Sequence, residues 1–166
     1  MQPSDQDLPD WQGGEPLALP MLGGQEFGVY ADAYDDDDRP DDYDRAVKNL
    51  LACDFSVMQA AQDHVYRYYQ DMREAWGDDA DIPEIASPAD VWNHVEFGGE
   101  VELGRRSKDG LVYASFECNC DWEPEHGLQI VLRNGQEVTK VGPYDGHYTQ
   151  SDAFADDDLE GVVYRP

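Results

Sequence analysis

The residues best suited to chemistry stand in one string, Cys118-Asn119-Cys120-Asp121-Trp122-Glu123-Pro124-Glu125-His126-Gly127-Leu128. Imidazoles in general titrate near neutrality and a neighbouring carboxylate can orient the ring, so Trp122, Glu123, Glu125 and His126 could form an acid/base site. No nucleophile accompanies them. The chain has no Gly-x-Ser-x-Gly elbow, no phosphate-cradling glycine loop and no His-Glu-x-x-His pair. The plainer reading is architectural: Glu125 and His126 hydrogen-bond the backbone of their own loop, Trp122 covers the end of a sheet, and Gly127 takes a conformation other residues avoid. No catalytic residue is assigned. Trp122, Glu123, Glu125 and His126 are instead kept as a signature loop, either structural or in contact with a partner.

Cys118, Cys120 and His126, with Asp121 nearby, are zinc-type donors. Their spacing argues otherwise. A Cys-x-Cys pair inside a strand sends both sulfurs to the face that holds Val112, Ala114 and Phe116, where a free Cys behaves as a small hydrophobe. The run Asp35-Asp36-Asp37-Asp38 lacks the Gly and the distal Glu of an EF-hand loop and reads as solvated charge. Neither a metal nor a cofactor is expected. The three cysteines (Cys53, Cys118 and Cys120) are odd in number, and the first residues lack a basic stretch followed by an apolar one. With no apolar run near the roughly 20 residues that span a bilayer, a cytoplasmic protein with free thiols and no membrane contact is expected.

The elements that must position this string change period along the chain. Residues 1–24 hold Pro3, Pro9, Pro16 and Pro20 with two glycine pairs, which predicts an extended, partly mobile leader. Glu26 to Ala33 alternates as a half-buried strand. After the aspartate loop, Val47, Leu50 and Leu51 mark one helix, while Met58, Ala61, Val65, Tyr68, Tyr69, Met72 and Trp76 mark a second that starts near Asp54 or Ser56 and stops at Gly77. Beyond a linker with Pro83 and Pro88, Val95, Phe97, Val101 and Leu103 share one parity and Glu96, Glu100 and Glu102 the other, so a strand presents a row of carboxylates. Its partner puts Val112, Ala114, Phe116, Cys118 and Cys120 on one face, and Leu128 to Arg133 turns at Asn134-Gly135 into Gln136 to Val141. The expected fold is α+β: an antiparallel sheet of about five strands with two helices packed on one face, over residues 25–148, followed by an acidic segment at 149–166.

The signature string resembles that of a bacterial family of uncharacterised domains, in which a strand ends in Cys and Trp-x-x-Glu-His-Gly-Leu leads into a hairpin. Gly-Pro-Tyr-Asp-Gly at 142–146 is similar too. The resemblance implies no assigned activity, and it implies an inhibitor or antitoxin role of the kind found among toxin-immunity proteins.

Charge points the same way. With 37 acidic against 11 basic residues the formal charge is −26, which disfavours nucleic-acid phosphate and draws cationic partners. The expected function is non-catalytic binding of a basic protein, specifically immunity to an effector such as a nuclease toxin. Glu96, Glu100, Glu102, Asp35, Asp36, Asp37 and Asp38 are the expected contact residues. Two alternatives stand beside it: a small enzyme using Glu125 and His126, and an ordinary acidic domain of a salt-adapted organism.

Overall fold

The computed structural model describes residues 8–77 and 81–166. One open sheet carries six strands in sequential order: β1 (Leu17–Leu19), β2 (Gln25–Tyr30), β3 (Val95–Arg105), β4 (Val112–Cys120), β5 (Leu128–Arg133) and β6 (Glu137–Gly142). Two helices, α1 (Asp41–Ala52) and α2 (Ser56–Trp76), link β2 to β3, and a short α3 (Gln150–Phe154) follows the sheet.

Each long helix forms for a reason visible in its residues. Tyr43, Ala46, Val47 and Leu50 recur at helical spacing in α1 and are all buried, while Asp41, Asp42 and Asp44 sit in its first turn, where the positive end of the helix dipole favours anions. In α2 the buried stripe is Val57, Met58, Ala61, Val65, Tyr68 and Tyr69. Asp54 Oδ1 accepts from the Ser56 N–H at 2.9 Å, at the start the sequence predicts. Both stripes pack on the sheet face formed by Val101, Leu103, Ala114, Phe116, Cys118, Ile130 and Leu132. Burial of each such large apolar side chain contributes about 1.5–3 kcal/mol.

Three features depart from the expected sheet. A sixth strand, β1, comes from the segment expected as an extended leader. Leu17, Leu19 and Met21 are fully buried there, and buried Trp11 donates its indole N–H to Asp44 Oδ1 at 3.0 Å. Second, β2 pairs with β3 in parallel, Tyr30 lying beside Glu102, while every other pairing is antiparallel. The physical reason is the α1–α2 crossover, long enough to return the chain in the same direction. Third, the 149–166 segment contains α3 and buries Gln150 and Ser151.

The face of the sheet away from α1 and α2 is partly roofed by residues 143–149. Tyr148 stacks on Tyr113 with centroids 5.4 Å apart, and the Gln129 amide donates to the His147 carbonyl at 3.1 Å. Beneath this strap the Lys140 ammonium is almost wholly buried, donating to Gln129 Oε1 at 2.7 Å and pairing with Asp145 at 3.0 Å.

Candidate functional site

The signature loop spans the gap between β4 and β5, and Glu123 organises it. Its carboxylate accepts from the backbone N–H groups of Glu125 (2.9 Å) and His126 (3.1 Å) and lies 2.6 Å from His126 Nδ1. The sequence places this duty on Glu125 and His126. Instead Glu125 is exposed, and His126 is held by Glu123 with its ring mostly in solvent. Gly127 has φ +66, and a Cβ there would lie 2.4 Å from the Cys118 carbonyl oxygen, so the return into β5 requires glycine.

Trp122 is 1% exposed, as the sheet-capping reading expects. Tyr68 and Tyr69 of α2 meet it edge-on at 5.8 and 5.9 Å, and the Tyr68 hydroxyl donates to the Gly127 carbonyl at 2.9 Å. Loop and helix are therefore one packed unit. Cys118 and Cys120 face the core as free thiols. Burial pushes the Cys118 thiol well above its ordinary range and Cys120 up to about 12, so both are held as thiols rather than nucleophilic thiolates. Among the described residues no three His, Cys, Asp or Glu side chains gather to hold a metal, and no helix is long and apolar enough to cross a membrane.

The carboxylate row on β3 is only partly open. Glu96 and Glu100 are exposed, but Glu102 is half-buried between Tyr30 and Tyr148, and burial, with Asp32 nearby, raises its pKa. Across the ladder stands a residue the parity argument on β3 passed over: Glu117 of β4, exposed and opposite the bulge between Phe97 and Val101. Its signal lies in the alternation of β4, where Ser115, Glu117 and Asn119 oppose Phe116 and Cys118. Together Glu100 and Glu117 flank a shallow hollow of about 210 Å³ over Gly98. The structure thus brings Glu96, Glu100 and Glu117 onto one open face.

The aspartate run does not behave as one patch. Asp37 takes two hydrogen bonds of 2.8 Å from the Arg105 guanidinium, which holds its carboxyl well below the usual range. Asp35, Asp36 and Asp38 remain exposed. Most of the chain's cations are consumed in this manner: Arg39, Arg45, Arg67, Arg105, Arg106, Lys108, Arg133 and Lys140 all pair with the chain's own carboxylates.

The loop also borders an open groove of about 660 Å³. Its walls are Tyr68, Met72, Ala75 and Trp76 of α2, Glu123, Glu125 and His126 of the loop, residues 143–145, Phe154, and the chain's last three residues.

The family model for a domain of unknown function, DUF6985, matches residues 2–148. The chain belongs to that family. No curated protein and no solved structure matches it. The DUF6985 match takes in Trp11 and β1 as well as the signature loop, the Glu96–Glu117 face and Tyr144, and it ends before α3.

Proposed function

We propose that this DUF6985 protein is a non-catalytic acidic binding protein whose partner is a basic protein. The specific role proposed is inhibition of a basic effector, such as a nuclease toxin, by carboxylates standing where phosphates would bind. One observation carries the reading: Glu96, Glu100 and Glu117 share an open sheet face, while the chain's cations are largely spent on internal pairs. Fields from adjacent unneutralised carboxylates add, and such a face speeds the encounter with a cationic surface.

The test begins with full-length tagged protein purified from its source cells at low salt, and the stoichiometric partner identified by mass. Association of that partner is then timed for the wild type and for a triple variant, Glu96→Gln, Glu100→Gln and Glu117→Gln, from about 0.01 to 1 M salt. A basic partner is expected, with an association rate that falls with salt and falls again in the triple variant. An acidic or neutral partner, or a rate unchanged by the variant at every salt concentration, overturns the proposal.

A further inference from the structure

Four large hydrophobic side chains are exposed among the described residues, and two of them, Trp76 (64%) and Phe154 (49%), lie on the groove beside the signature loop. Aromatic rings so placed are costly to leave in water and are the residue types that dominate protein–protein binding energy. Met72 and Tyr144 continue the apolar wall. A groove of about 660 Å³ has the size of a pocket that takes one large side chain and its neighbours.

The rim determines which neighbours. Glu125 supplies the exposed carboxylate there, Glu123 and Asp145 being already engaged by His126 and Lys140, and among the described residues lining the groove Arg165 is the only Lys or Arg. That one cation already shows the preferred chemistry: its guanidinium carbon sits 4.3 Å over the centroid of the Phe154 ring. The 143–149 strap connects this end of the molecule to the sheet face of the open carboxylates, for Tyr144 lines the groove and Tyr148, four residues on, donates to Glu102 of β3 at 3.5 Å. A basic surface lying on the Glu96–Glu117 face therefore has the groove within reach.

We infer that the groove anchors a segment of the basic partner in which an aromatic side chain is flanked by arginine or lysine. The ring fills the space between Trp76 and Phe154, one flanking cation stacks on the Phe154 ring where Arg165 now lies, and the other meets Glu125. Arg165 holds the place that a partner cation takes. This inference rests on the basic-protein reading above.

A blocked pentapeptide, acetyl-Gly-Arg-Phe-Arg-Gly-amide, is the probe, titrated calorimetrically into the full chain. Trp76→Ala and Phe154→Ala remove exposed side chains, so the fold is expected to survive, with circular dichroism as the check. Each is expected to weaken the peptide about tenfold or more. The same loss is expected for peptides with Ala in place of Phe, or Glu in place of both Arg. Arg165→Ala is expected to tighten binding several-fold. Affinity unchanged in both aromatic variants, equal binding of the charge-reversed peptide, or no binding at millimolar peptide overturns the groove assignment. If peptide affinity instead falls only in the Glu96, Glu100 and Glu117 triple variant, the groove inference fails and the carboxylate-face proposal survives.

Discussion

Glu123 and Glu125 stand two positions apart in one loop, yet only Glu123 is built into it. Losing the Glu123 carboxylate leaves the exposed N–H groups of Glu125 and His126 to water and frees the His126 ring, so the loop loses its local ties. Charge-assisted hydrogen bonds of this kind put the expected cost of Glu123→Ala at about 1–3 kcal/mol. Glu125→Ala, at an exposed position, is expected to stay within about 0.5 kcal/mol. Denaturant unfolding of the two variants checks the contrast, and equal losses would show that Glu123 does not hold the loop. Trp122→Ala is expected to cost about 3–5 kcal/mol, the range for a large core aromatic removed without repacking. Trp122→Phe separates packing from hydrogen bonding. Among the described residues the buried indole N–H has no hydrogen-bond partner, so Phe keeps most of the ring contact with Tyr68 and Tyr69 while deleting that donor, and less than half of the alanine loss is expected.

The C-terminal elements depend on Arg106, which is 3% exposed at its side chain and donates to Asp152 at 2.7 Å and to Glu160 at 3.0 Å. Its guanidinium holds the Asp152 carboxyl below its usual range and lowers Glu160 from 4.5 to about 2. A carboxylate with a depressed folded pKa contributes stability above its unfolded value and loses it as pH falls through the folded one. The latch is therefore expected to be closed at neutral pH and to open between about 4.5 and about 2. Hydrogen exchange over residues 150–164 should show protection lost in that window, and lost at every pH in Arg106→Gln; protection independent of pH would refute the latch. How far elements were legible follows from their length. The α1 and α2 stripes run for several turns and were plain, as was the Asn134-Gly135 hairpin, with both residues at positive φ. Strand β1 was hidden because Leu17-Ala18-Leu19 offers only three residues of alternation among prolines and glycines. The parity of Glu96, Glu100 and Glu102 survived the bulge after Phe97 because it adds two residues, an even number. What parity could not show was Tyr148, some 46 residues on, folding over Glu102.

For the whole molecule, a charge of −26 sets repulsion among carboxylates against a small number of well-placed ion pairs. Salt screens both, though unequally. The Arg105 and Arg106 pairs are mostly buried and therefore weakly screened, whereas the surplus carboxylates are spread over the surface and strongly screened. Relief of repulsion should win, so Tm at pH 7 is expected to rise with salt. The Debye length falls from about 30 Å at 0.01 M to about 8 Å at 0.15 M and about 3 Å at 1 M, and most of the rise is expected in the first interval, where distant charges stop interacting. Each kcal/mol of relieved repulsion raises Tm by about 2–4 °C for a chain of this size. Near the sequence pI of about 4.1 the net charge vanishes and the same salt series should leave Tm nearly flat. Scanning calorimetry at both pH values decides the matter. A Tm that falls with salt at pH 7 would mean that ion pairs outweigh repulsion, and the open carboxylates would then carry no stored repulsion for a basic partner to relieve.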